Sequence, residues 1–208
     1  MQLIAMLTML IDHIGYIFFP DDPVWRMIGR IAFPIYAYAL VQGYKYTSSR
    51  WKYLGRLFVI ALISQVPYQL ALDPVGLNIV ATLTLALLIL TLLDKIKSPL
   101  VGGLLIFGAL GVMDVWPFDY GSYGLLLVLM FRYIPAAWLV PSHLLLNGVY
   151  LILNGWTLQM ISIVPTLVIA YGPALWSRIE AIRVKSWVWR SFYPAHLVIL
   201  AIMKYLLL

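Results

Sequence analysis

The chain has no cysteine, and charge is scarce: 14 Lys and Arg, 8 Asp and Glu and 3 His among 208 residues. Without cysteine there is no disulfide, no thiol nucleophile and no thiolate metal site. Charged residues make up only 11% and hydrophobic ones 63%, with a mean hydropathy of +0.95. A soluble domain could not hide that much apolar surface. There is no glycine-rich phosphate loop, no HExxH and no low-complexity segment. No repeat or inverted half is visible, which argues against a secondary transporter. The apolar runs are continuous rather than alternating, which argues against a β-barrel. The first run, LIAMLTMLIDHIGYIFF, has no basic leader and no small-residue cleavage site, so a retained helix is expected there rather than a signal peptide.

The expected fold is therefore all-α: a single polytopic transmembrane helical bundle over residues 1–208. About nine apolar segments can be marked, near 3–19, 26–44, 53–72, 77–93, 99–113, 121–131, 134–153, 157–175 and 190–207. The sixth is short. As a re-entrant segment it must be buried in protein, and the crossings then number about eight.

Loop charges alternate along the chain. Lys45, Arg50, Lys52 and Arg56, then Lys95 and Lys97, then Arg132, then Arg178, Arg183, Lys185 and Arg190 form the basic set. Asp21 and Asp22, Asp73, and Asp114 and Asp119 occupy the intervening loops. The positive-inside rule puts the basic set and the N-terminus in the cytoplasm, which predicts a multi-pass protein of the bacterial inner membrane. The basic loops serve topology and anionic lipid, or a polyanionic nucleotide-like donor. Nucleic acid is not an expected partner, because no recognised fold presents these residues.

Ionisable groups at membrane depth mark a pathway or a reaction centre. Asp12 and His13 lie just past the middle of the first segment, and Arg30 lies near the outer end of the second. Ser64 and Gln65 in the third segment, and Asn78 and Thr82 in the fourth, share that outer-to-middle layer. Adjacent helical positions diverge by about 100°, so one of Asp12 and His13 faces a cavity while the other is braced by a neighbour such as Arg30. A neutral His13 beside a carboxylate suits a general base. The alternatives are a structural Asp12–Arg30 pair, a proton or ion relay through Asp12, His13 and Arg30, and a scaffold that tolerates loss of His13. His196 follows Pro194, and the last helix is expected to begin near Tyr193, with His196 either in the site or bonded to a neighbour. His143 and Asn147, one turn apart, read as interhelical hydrogen bonds.

The blocks MLIDHIGYIF, IGRIAFPIYAYALVQGY and IALISQVPY, with Tyr53, Arg56 and Leu57 opening the third segment, then Asn78 and Thr82, and the late FYPAHL, resemble the TraX family. The resemblance is ordered over the first ninety residues and returns at the C-terminus. It implies an integral membrane acetyltransferase. TraX-like proteins are linked to N-terminal acetylation of conjugative pilin and grouped with a wider set of transmembrane acyltransferases. That set includes the lysosomal heparan-α-glucosaminide N-acetyltransferase and bacterial polysaccharide O-acyltransferases. The histidine proposed as catalytic in such proteins maps onto His13, with Asp12 and Arg30 in the same blocks. The implied donor is cytoplasmic acetyl-coenzyme A, held by Lys45, Arg50, Lys52, Arg56, Arg183 and Lys185, with no metal. Ser64, Gln65, Asn78, Thr82 and His196 are the expected substrate-binding residues, and Arg30, Asn78 or Gln65 the expected oxyanion donor. The acceptor is open: a small amine, a sugar, a lipid headgroup or a protein N-terminus. The remaining expected partners are membrane lipid and a second copy of the chain as a homodimer.

Overall fold

The computed structural model describes residues 1–172 and 184–207; Arg178 and Arg183 lie outside the described residues. The described chain is all-helical, with no strand. Among the described residues ten α-helices follow one another: α1 Gln2–Phe18, α2 Pro23–Gly29, α3 Ala32–Tyr46, α4 Arg50–Leu72, α5 Ile79–Leu93, α6 Pro99–Val115, α7 Gly121–Tyr133, α8 Ala136–Asn154, α9 Ile163–Tyr171 and α10 Ser186–Leu207, with a 3₁₀ turn Thr157–Ser162 before α9.

The punctuation is chemical. Asp22 caps α2 by accepting from the Val24 amide at 3.0 Å, with Pro23 in the first turn. Asn78 caps α5, accepting from the amides of Val80 and Ala81. Gly155, at φ 69°, ends α8 in the left-handed conformation. The segment expected at 26–44 is two helices, not one. Pro34 has no amide to bond the carbonyl of Arg30, four residues back, so the ladder breaks at Arg30–Ile31. The last helix differs in the other direction. It begins at Ser186 rather than Tyr193 and carries Pro194 in its interior.

Among the described residues, only α4 and α8 are long and apolar enough, by length and composition, to cross a membrane; α1, α5, α6 and the Thr157–Tyr171 stretch are apolar but shorter. Nine full crossings are thus not what the helix lengths provide. The short sixth segment is α7, about 20 Å long at 1.5 Å per residue. It is central: Tyr123, Leu125, Leu127 and Val128 are fully buried, which satisfies the condition for a segment of that length. By contrast α4 turns an apolar stripe outward, with Leu62, Ile63, Val66 and Leu70 exposed by 58–62%. A water-facing helix rarely carries such a stripe.

Between lipid-facing helices the hydrophobic effect gives little, and packing and interhelical hydrogen bonds must hold the bundle. His143 and Asn147 do this. The Tyr123 hydroxyl donates to Asn147 Oδ1 at 2.9 Å and lies 2.9 Å from His143 Nε2, while His143 Nδ1 meets Thr166 Oγ1 at 2.7 Å. An ion pair closes each end. Arg50 and Arg132 converge on Asp94 at 2.8 and 3.8 Å, and Lys204 pairs with Asp73 at the opposite end.

Candidate functional site

Asp12 is clasped by two arginines. Arg26 Nη1 reaches its Oδ2 at 2.6 Å and Arg30 Nη2 its Oδ1 at 3.1 Å. Arg26 lies in α2 and Arg30 is its C-cap residue, four positions on and still right-handed, so one short helix and its cap deliver both. The helices meet closely because two glycines remove their side chains. A Cβ at Gly15 would fall 2.0 Å from Trp25 Cβ, and one at Gly29 would fall 1.9 Å from Asp12 Oδ1. Arg26 was missed in the sequence, although its i,i+4 spacing to Arg30 was a readable signal. Asp12 is therefore charge-balanced by α2 and does not orient His13.

His13 is oriented from the other side, by His196. His13 Nδ1 lies 2.8 Å from His196 Nε2, the rings stacked at 5.0 Å, and both residues are buried. His196 Nδ1 lies 2.7 Å from the Phe192 carbonyl. A carbonyl only accepts, so His196 Nδ1 carries the hydrogen. In the neutral ring Nε2 is then bare, so His13 Nδ1 must donate to it. His13 Nε2 is left as the bare nitrogen, without a protein partner among the described residues. That is the atom and tautomer a general base needs.

His13 and Asp12 line a cavity of about 240 Å³, closed by Tyr16, Tyr68, Asp119 and Tyr120. A second chamber of about 320 Å³ lies beyond Arg26 and Arg30, against Asp119, Trp156 and Gln159. Asp119 faces both. It sits on a loop held by Thr82 Oγ1, which donates to its carbonyl at 2.6 Å, and by its own amide, which donates to Leu77 at 2.9 Å. Burial pushes the Asp119 carboxyl up to about 6, against the opposing pull of Arg30.

The other expected substrate-binding residues do not line the His13 cavity. Gln65 Nε2 donates to Gly76 at 2.9 Å and its Oε1 accepts from Asn78, while Asn78 also caps α5 and donates to the Ala61 carbonyl at 2.8 Å. Their hydrogen bonds are spent closing the α4–α5 corner. Ser64 is fully buried with its hydroxyl unpaired. Thr82 acts one step back, through Asp119.

The basic residues divide as well. A cleft of about 520 Å³ near the N-terminus is lined by the exposed Arg56 and Arg190, the half-buried Tyr36, Tyr53 and Trp189, and the buried Val80 and Tyr193. Arg190 belongs to the sequence's basic set but was not among the expected donor ligands. Arg50 is committed to Asp94 and lies over the Tyr44 ring. Lys45, Lys52 and Lys185 are exposed and do not line the cleft.

Comparison with known proteins follows the same blocks. A probable fimbrial assembly protein, FimC of serogroup H1, from Dichelobacter nodosus is 29% identical over 192 residues, covering 84% of this chain and 77% of that protein. No solved structure matches. The family described as "TraX protein" matches residues 1–204, and the chain belongs to the TraX family.

Proposed function

We propose that the protein is a multi-pass inner-membrane acetyltransferase. It passes an acetyl group from cytoplasmic acetyl-coenzyme A to an amine or hydroxyl at the outer half of the bilayer, with His13 as general base. The observation that carries this reading is the bare Nε2 of His13 on a cavity wall, backed by His196, whose ring meets Tyr193 of a basic cleft. The coenzyme's phosphates suit Arg56 and Arg190, since guanidinium–phosphate bonds are strong and directional. A thin pantetheine arm suits the aromatic lining of the cleft, Tyr36, Tyr53, Trp189 and Tyr193. The acidic loops at Asp73 and Asp119 mark the acceptor's side.

In direct transfer the acceptor nitrogen or oxygen attacks the thioester carbon while His13 Nε2 takes its proton. The tetrahedral adduct collapses, the coenzyme A thiolate leaves, and it recovers the proton from His13. One base serves both halves, so no acetyl-histidine is needed. The family's link to pilin acetylation and the fimbrial name of the relative favour a pilin-type N-terminal amine as acceptor.

The test is calorimetry of acetyl-coenzyme A on the protein in nanodiscs, followed by labelled transfer to peptide amines, sugars and lipid headgroups. The expected result is donor binding that weakens with salt and transfer to at least one amine. Proton or ion flux without coenzyme binding would replace this reading with a relay.

A further inference from the structure

Tyr193 links the basic cleft to the His13–His196 pair. It lines the cleft, its ring meets His196 edge-on at 5.6 Å, and it is only 5% exposed. Its hydroxyl closes no hydrogen bond of normal geometry. A buried hydroxyl left so loses its hydration without replacement, an arrangement that folded proteins rarely keep. Tyr193 shares the cleft wall with Val80, and the residue before it, Ile79, lines the His13 cavity together with Tyr68 and Asp119. Ile79 opens α5, where the amides carry the positive end of the helix dipole. The Asn78 cap occupies the amides of Val80 and Ala81, not that of Ile79.

Resting on the acyl-transfer reading, we propose that Tyr193 is a catalytic residue whose hydroxyl donates to the thioester oxygen as that oxygen becomes an oxyanion. The expected oxyanion donors are otherwise engaged: Arg30 on Asp12, and Asn78 and Gln65 on the α4–α5 corner. The geometry is apt, because Tyr193 both lines the cleft and touches His196, the partner of His13. As the acceptor nitrogen bonds to the carbonyl carbon, the C=O π pair moves onto oxygen and Tyr193 O–H donates to it. The proton from nitrogen goes to His13 Nε2. The oxygen pair then re-forms C=O, the C–S bond breaks, and the thiolate takes the proton from His13. Tyr193 keeps its own proton throughout.

The experiment compares wild type with Tyr193→Phe in nanodiscs, measuring acetyl-coenzyme A affinity by calorimetry and kcat with an amine that the wild type acetylates. Loss of one oxyanion donor predicts a fall in kcat on the order of 10²–10³-fold with donor affinity unchanged. A second series places fluorotyrosines of graded acidity at position 193, which preserves packing, and kcat should follow the acidity of the hydroxyl. Full rate in Tyr193→Phe, a flat fluorotyrosine series, or a rate loss wholly explained by weaker donor binding each overturns the proposal. A wild type that neither binds the donor nor transfers acetyl is a different result: it removes the acetyltransferase reading itself.

Discussion

Gly29 lies so close to Asp12 that a methyl group on it would occupy the carboxylate, 1.9 Å from Oδ1. Gly29→Ala should therefore push Asp12 away from Arg26 and Arg30. A stranded buried charge costs on the order of 3–5 kcal/mol. Thermal unfolding in detergent should show a large fall for Gly29→Ala. Gly55→Ala, where nothing stands within 4 Å of the added carbon, should be neutral or slightly stabilising.

The two arginines change what is expected of single substitutions. Removing Arg30 does not strand Asp12, since Arg26 still holds it at 2.6 Å. Asp12→Ala leaves two like charges facing each other in a site of low dielectric. Asp12→Ala should thus lower the unfolding temperature more than Arg26→Gln does. Adding Arg26→Gln to Asp12→Ala should recover part of the loss. Equal effects of the two single changes would contradict the clasp.

His196 should matter to rate through His13. His196→Leu removes the acceptor for His13 Nδ1, lets the ring take the other tautomer, and should cost about 10²-fold in transfer rate, the lower range for loss of base function. His196→Gln offers a side-chain oxygen in its place and should retain more activity. His13→Ala should lose about 10²–10⁴-fold with donor binding intact. Initial rates of the four proteins at saturating donor rank these roles, and a His13→Ala protein as active as wild type refutes the base assignment.

Asp119 supplies a pH dependence. Its folded value is raised from 3.8 to about 6, so the folded protein holds a proton there that the unfolded chain has lost. Stability should fall as pH rises between those two values, because ionising this half-buried carboxyl is harder in the fold than in water. Asp119→Asn should flatten that part of the stability curve. Unfolding temperatures from pH 3.5 to 7 for both proteins measure the difference, and parallel curves would show that Asp119 does not titrate in this window.

Sidedness is open to labelling because the chain has no cysteine. Ser48 is exposed in the loop between α3 and α4. Ser48→Cys should stay unreactive toward an impermeant maleimide in intact cells and react after permeabilisation. Labelling of intact cells would invert the topology.

Much of the site could be read from composition and depth. Asp12, His13 and Arg30 stood out because ionisable groups are expensive in apolar segments, and they do meet at one cavity. Gln65 and Asn78 share that depth without lining the cavity. A polar residue at the right depth has two ways to be satisfied, by a ligand or by another polar residue, and depth does not distinguish them. Here they satisfy each other. The break at Arg30 is legible in Pro34 and is masked by an apolar run that continues across it.

By itself the sequence determined the helical class and the family. Each follows from local quantities: apolar runs and ordered motifs. Tertiary structure alone decided which histidine partners which. His13 and His196 are 183 positions apart, and nothing local relates them. Their contact exists because α1 and α10 pack together, and the Phe192 carbonyl, one turn before His196, then sets the tautomer of both rings. A proton's place on an imidazole depends on what lies within 3 Å of each nitrogen, and only the folded chain brings those neighbours there.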